Sequence, residues 1–506
     1  MRTNKIFIAA GIVAMMALPA CELDLVPYDS LTVESLSQSE QGLENLANGC
    51  LMMMKENLSY SKGQEPDPRD RYIRHLFQLT EFPSDDVMIV KSTTDNLWYS
   101  FNMAHVPGQL NTTYFWFMGY KIILNANNII NTVEVTPETN ARMRHLLGEA
   151  YYYRAMVHFD MARIFSFPPS HGLDNPGIVL RTQPAEDDNK ARATVGETYE
   201  QIMKDLRTAA GLMSTRGTSQ TDFIRYGSKW SAMALLSRAH LYAENWDSAV
   251  YYADQVINEG PFRLATRDEY LNSFHNSYQS KENIFIFYLA PEEDHGEASI
   301  GSMYNAGASG SDGWGEIFPS EPFMQKLAAF KNDIRNELID TVYNEDGSQK
   351  KYPSTPYLSY YVNKFSGQDG IVPLASPIYL RLSEMYLNRA EAFAHLGQDQ
   401  LALDDVNVIR ERAGLSGDEL VRTDNLGDFG YADVLDAVLN ERRFEFAYEG
   451  LRRDDLLRNK IDLDRSFPSA QNPSNTTDIL PWNDARQIYY IPQAEIFNNT
   501  ACIQND

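Results

Sequence analysis

Between Ala141 and Ile164 the apolar side chains Leu146, Ala150, Tyr153, Val157, Met161 and Ile164 fall in steps of three and four. That spacing places them on one face of a helix, which must be buried against a neighbour. Phe167-Pro168-Pro169 ends the run, since proline cannot continue a helix. The pattern returns twice as pairs. Ala232, Leu235, Ala239 and Tyr242 line one helix, Glu244-Asn245 turns the chain, and Trp246, Ala249, Ala253, Val256 and Ile257 line the next. Leu382, Tyr386, Ala390, Phe393 and Leu396 do the same, with a turn at Gly397 and a return through Ala402, Val406, Ile409 and Ala413. Small residues at the expected crossings, Ala239 with Ala249 and Ala390 with Ala402, suit the close packing of tetratricopeptide-type hairpins. The copies lie about 150 residues apart, far from the ~34-residue period of a tandem array, so insertions interrupt the scaffold. A further helix over about Tyr431–Tyr448 is apolar on more than one face. Its Glu441, Arg442, Arg443 and Glu445 therefore need buried partners, and structural ion pairs are expected there.

Residues 60–110 and 261–375 are of another kind, rich in Gly, Pro, Ser, Asn and aromatics, with short strand-like runs at Ile284–Tyr288 and Tyr360-Tyr361-Val362. Loops this long in a compact domain are functional or disordered, and their aromatic content argues against disorder. No Gly/Ser-rich or Pro-rich linker divides the chain. The expectation is one mainly α unit over residues 21–506. Helical hairpins form the scaffold, mainly at 36–56, 110–260 and 376–460, and the part facing a ligand is rich in loops with minor β structure.

The first 20 residues are read separately. Arg2 and Lys5 precede an apolar run, Ile6 to Pro19, that is too short to span a bilayer and ends at Ala20. This is a signal peptide. Leu18-Pro19-Ala20-Cys21 resembles a bacterial lipobox, which would make Cys21 the lipidated first residue of the mature chain; an ordinary cleavage site beside an unrelated cysteine is the other reading. Two or more acyl chains suffice for a stable anchor. The formal charge of −25 grows by two when Arg2 and Lys5 leave, and an acidic excess of that size disfavours nucleic acid as a partner. Of the three cysteines, Cys50 and Cys502 remain, either paired or as free thiols.

Catalytic signatures are absent. The nine histidines are scattered, no His-Glu-x-x-His, Cys-x-x-Cys or Walker loop occurs, and Gly307-Ala308-Ser309-Gly310-Ser311 fails the nucleophile-elbow pattern at its last position. No cofactor or metal is expected, although Glu292-Glu293-Asp294-His295 has the oxygen ligands of a calcium loop as well as the look of a solvated turn. A binding site for a bulky polar ligand instead needs flat apolar rings together with polar side chains that replace water. Two clusters fit. Asn96, Trp98 and Tyr99 lie in Asp95–Tyr99, and Tyr304 leads through a Gly-rich loop to Asp312 and Trp314. Each ring competes with a place in the core, where Trp116, Tyr120, Trp230 and Trp246 are expected.

Several segments, in their order along the chain, resemble the SusD/RagB family of outer-membrane nutrient-binding lipoproteins. Cys21 is followed by the acidic Glu22-Leu23-Asp24-Leu25-Val26-Pro27; later come Gly148–Ala155, Lys229–Leu236, Arg381–Ala392, Asn440-Glu441-Arg442-Arg443 and Ile491–Ile496. The resemblance spans nearly the whole mature chain. It implies a SusD-like fold, a captured oligosaccharide, and a partner TonB-dependent outer-membrane transporter over which the lipoprotein sits as a lid. The RagB side of the family implies peptide cargo as an alternative. A surface glycosidase with two acids in a cleft and a pure assembly scaffold are further readings, and the long aromatic loops argue against the scaffold.

Overall fold

The computed structural model describes Leu36 and residues 39–59, 67–134, 136, 139–185, 187, 189–214, 220–306 and 314–505. The signal peptide, Cys21 and Asp312 lie outside the described residues.

Helices carry the architecture: α1 (Glu40–Lys55), α2 (Tyr72–Glu81), α3 (Leu97–Asn102), α4 (Leu110–Thr132), α5 (Ala141–Phe165), α6 (Val195–Leu212), α7 (Lys229–Tyr242), α8 (Trp246–Glu259), α9 (Leu382–His395), α10 (Asp399–Ala413), α11 (Val434–Glu445) and α12 (Arg452–Arg458). Side-chain caps start several of them. Asn140 accepts from Met143 N at the head of α5, and Thr194 with Glu197 forms a reciprocal capping box on α6, each satisfying backbone donors that a helix end leaves open. From α4 to α11 each helix packs against the next in the chain, and α1 lies across α4 and α5.

That run is continuous across the inserted segment. α8 packs directly on α9, so residues 260–381 depart from the scaffold and return to it between two spatial neighbours. Trp246 on α8 lies flat on the His395 ring of α9, with centroids 4.0 Å apart and planes 7° apart. The predicted crossing of Ala390 with Ala402 falls within one buried cluster. The other does not: Ala249 packs with Leu241 and Ala392, while Ala239 faces the main core. Ser237 is the small residue on that contact, donating its hydroxyl to Ala249 O at 3.1 Å.

α11 is buried with its charges, as its sequence requires. Glu445 accepts from Arg381 and Arg412, Arg443 Nε donates to Asp86 at 2.6 Å, and Arg442 Nε donates to Asp455 at 2.8 Å. Cys50 and Cys502 are buried free thiols; burial pushes the Cys50 thiol up to about 12.

Strand structure is confined, among the described residues, to two-stranded antiparallel ribbons: β1 (Val87–Ile89) with β3 (Ile317–Pro319), β2 (Asn283–Ile286) with β6 (Ile378–Arg381), β4 (Ile339–Thr341) with β5 (Tyr360–Val362), and β7 (Leu463–Asp464) with β8 (Ile479–Leu480). The β1–β3 ribbon matters most. Its Met88↔Phe318 register, extended by Val90 N to Glu316 O at 3.1 Å, fastens the segment before residue 98 to the segment after residue 313.

Turns and irregular segments make up most of the described part of the stretch 60–110, with α2 and α3 set among them and all ten residues of α2 buried. A short helix enclosed on every side, with polar residues turned toward buried partners, leaves no one-sided apolar stripe to be read.

Candidate ligand-binding cleft

A cleft of about 610 Å³ opens where the β1–β3 ribbon brings the two loop clusters together. One wall is the approach to α2, with Asp67, Arg69, Asp70, Arg74 and His75. The next is Lys91 to Leu97 with the first turn of α4, and the last is Met303, Trp314 and Glu316.

The first two walls are locked by charge. Arg69 grips both oxygens of Asp67, at 2.8 and 2.9 Å, and reaches Asp95 Oδ2 at 2.8 Å. The Arg69 hydrogen bonds hold the Asp67 carboxyl down at about 2. Asp95 in turn accepts from Leu97 N, and Asn96 Oδ1 accepts from Leu110 N at 3.1 Å, which joins the loop to the heads of α3 and α4. Across the cleft Lys91 pairs with Glu316 at 3.3 Å.

Behind them runs a polar chain. His75 Nε2 meets Asp70 Oδ1 at 2.8 Å and its Nδ1 meets the Gln78 amide at 3.0 Å. With that amide oriented so that its nitrogen donates to His75, its oxygen accepts from Arg74 at 3.2 and 3.3 Å. Burial lowers the Arg74 guanidinium to about 10, which leaves it charged at neutral pH.

Trp314 provides an exposed ring. It is 43% exposed, and its Nε1 donates to Glu297 O at 3.3 Å. Its backbone is held equally firmly, since Trp314 N and Gly315 N both donate to Ser302 O, at 2.6 and 2.9 Å. The Ser302 hydroxyl donates to the same Glu297 carbonyl at 2.6 Å. Gly315 adopts φ +53°, and a Cβ there would stand 2.8 Å from Ala306 N.

The predicted residues divide. Asn96 and Trp314, from separate clusters, line one cleft. Tyr304 does not. It is 1% exposed and packs among Phe82, Phe365 and Tyr448, because the short helix Gly301–Tyr304 turns it inward. Trp98 and Tyr99 are half-buried and off the cleft wall; they belong to α3, where each residue rotates by about 100°, so the helix shows the cleft Leu97 and carries the next two rings away. Trp116 is fully buried, as expected of a core ring. In the candidate calcium loop Glu293 accepts from Lys55 at 2.9 Å. Arg69, Asp70, Arg74, Lys91 and Glu316 were not anticipated; the dense charge of Asp67-Pro68-Arg69-Asp70-Arg71 is a sequence signal for the first two alone.

A helical array in which each helix packs on the next is the helical SusD-like fold. The family model described as the SusD family matches residues 226–506, and one described as starch-binding, associating with outer membrane, matches residues 54–241. This chain belongs to the SusD family. The SusD-like protein P2 of Formosa agariphila is 26% identical to it over 440 residues, covering 80% of this chain and 82% of that protein. A SusD superfamily protein from Bacteroides thetaiotaomicron superposes with a TM-score of 0.80 at 24% identity, over 92% of this chain and 100% of its own. A laminarin-binding SusD-like protein superposes with a TM-score of 0.68 at 20% identity, over 92% and 98%.

Proposed function

We propose that this protein is an outer-membrane lipoprotein, anchored through Cys21 and facing the cell exterior, whose mature chain acts as one SusD-like unit. It captures oligosaccharide in the cleft and passes it unaltered to a TonB-dependent transporter. The observation that carries this reading is the Trp314 ring, 43% exposed on a cleft otherwise rich in hydrogen-bonding groups. A flat ring covers the apolar face of a pyranose while side chains such as Asn96 and Arg74 replace water at its hydroxyls. The laminarin-binding neighbour supports a glycan as cargo. Cargo that must be released needs only millimolar to micromolar affinity, about −4 to −8 kcal/mol.

A glycosidase needs one carboxyl raised so that it can donate a proton, and Asp67, depressed by Arg69, is unsuited to that role.

The test is calorimetric titration of the mature chain, carrying Cys21→Ser, with a panel of oligosaccharides and with a peptide digest. Glycan heats that weaken in Trp314→Ala are expected. Heats from peptides alone would replace the cargo, and new reducing ends on incubation would overturn the non-catalytic assignment.

A further inference from the structure

Buried arginines among the described residues are paired with carboxylates, with one exception. Among the described residues, twelve of the thirteen buried arginines have a carboxylate oxygen within 4.0 Å; Arg163 with Asp454, Arg238 with Glu384 and Arg443 with Asp86 are examples. The exception is Arg74, and it lies on the cleft wall. It is 4% exposed, touches Met303 Sδ at 3.8 Å and the Gln78 amide, and makes no hydrogen bond through Nε. The nearest acids are engaged elsewhere: Asp67 and Asp95 by Arg69, and Asp70 by His75.

Holding a guanidinium out of water with no carboxylate in contact costs several kcal/mol; Asp95, Asp70 and Asp67 act on Arg74 only through space, whereas the remaining buried arginines offset the cost through direct pairs. We infer that the ligand supplies the missing partner: the cleft is built for a glycan bearing an anionic group, the carboxylate of a uronic acid or a sulfate ester, which pairs with Arg74 while Trp314 covers the sugar ring. The fork of N–H donors on arginine matches the two or more oxygens of either group. Four carboxylates line the same cleft, but each is held by a neighbour, Asp67 and Asp95 by Arg69, Asp70 by His75 and Glu316 by Lys91, and the net charge of −25 acts from farther off. Fields from distant surface acids are screened beyond about 10 Å at ordinary salt, so they slow arrival more than they weaken the docked pair. This inference rests on the cleft being the glycan site.

The experiment compares trigalacturonate, a sulfated oligosaccharide and a neutral galacto-trisaccharide by calorimetry on the wild type, Arg74→Gln, Arg74→Lys and Trp314→Ala. At least one acidic ligand is expected to bind about 10- to 100-fold tighter than the neutral one. Arg74→Gln should abolish that preference, Arg74→Lys should keep part of it, and added salt should reduce it in the wild type. Whichever acidic ligand responds identifies the group recognised. The melting temperature of Arg74→Gln should not fall, since the variant removes an unpaired buried charge. Neutral and acidic ligands binding equally, both weakened by Trp314→Ala and neither by Arg74→Gln, would overturn the inference and leave the cleft as the glycan site. Silence from every glycan would overturn both.

Discussion

Arg335 donates from Nη1 to Glu441 Oε1 at 2.7 Å with both side chains sealed from solvent, and the other oxygen of Glu441 accepts from Arg410 at 2.9 Å. One carboxylate on α11 thereby joins the inserted segment, through Arg335, to α10, through Arg410. Apolar residues of the same volume could stabilise these contacts as well, but removing the central charge leaves the buried Arg410 without its carboxylate partner, while Arg335 keeps Asp333 at 2.6 Å and Glu445 at 3.4 Å. Glu441→Ala is expected to cost roughly 3–5 kcal/mol in urea denaturation. Glu441 is not on the cleft wall, so the folded variant should bind ligand as the wild type does. A loss below about 1 kcal/mol would show that the three groups tolerate separation.

The two tryptophans Trp116 and Trp314 should respond oppositely to truncation. Trp116 is fully buried, donates from Nε1 to Glu495 at 3.3 Å and meets Phe165 edge-on at 4.9 Å. Trp116→Ala should cost about 3–5 kcal/mol of stability through the cavity it leaves. Trp314→Ala removes a half-solvated ring and should shift stability by no more than about 1 kcal/mol while weakening glycan binding by about 1–2 kcal/mol. Melting curves and calorimetry on the two variants separate these outcomes. A Trp314→Ala protein that melts early and binds normally would place the ring in the scaffold.

Helical periodicity carried most of the scaffold. The stepping of apolar residues from Leu146 to Ile164 corresponds to α5 at Ala141–Phe165, and the two hairpins appear as α7–α8 and α9–α10. The runs at Ile284 and Tyr360 appear as β2 and β5. What local spacing could not carry is juxtaposition. Asn96 and Trp314 meet because β1 pairs with β3, and a pairing of two three-residue strands so distant in sequence has almost no local signature. The same limit explains Tyr304 and Trp98. Their composition suits a binding loop, but the helix phase at each position decides which way the ring turns. Arg74 was hidden for another reason, since a cation becomes conspicuous only when its neighbours are known to lack a counter-charge.

Buried histidines should govern part of the acid limb of the stability profile. His158 is fully buried, makes no hydrogen bond through either ring nitrogen among the described residues, and is lowered to about 3 by burial and by the nearby Arg154 charge. The unfolded chain binds that proton near pH 6.5, so below this value the unfolded state gains protons that the folded state refuses. Its contribution is complete above about pH 6.5 and falls toward pH 3, by at most about 5 kcal/mol. Glu81 runs the other way. Burial and the neighbouring Asp86 raise it to about 8, so stability from its retained proton is full at low pH and is lost as pH climbs through about 8. Urea melts from acid to mild alkali should show a shallower acid limb in His158→Leu and a shallower alkaline limb in Glu81→Gln. Profiles parallel to the wild type would mean that neither group keeps its buried protonation state.

Gly315 should position Trp314 without touching ligand. Its φ of +53° lies in the left-handed region, and an added Cβ would meet the Ala306 backbone nitrogen at 2.8 Å, closer than real Cβ contacts come. Ala306 cannot yield as a flexible side-chain end would, so in Gly315→Ala the chain on either side must shift. The Trp314 N and Gly315 N bonds to Ser302 O would lengthen, and the indole would leave the orientation that its Nε1 bond to Glu297 O now fixes. The expected result is a modest stability loss of about 1–2 kcal/mol, with a fall in glycan affinity close to that of Trp314→Ala. Adding Trp314→Ala to Gly315→Ala should then weaken binding little further, because the glycine acts through the ring. Additive losses in that double variant would mean that Gly315 serves the cleft by a route independent of the tryptophan.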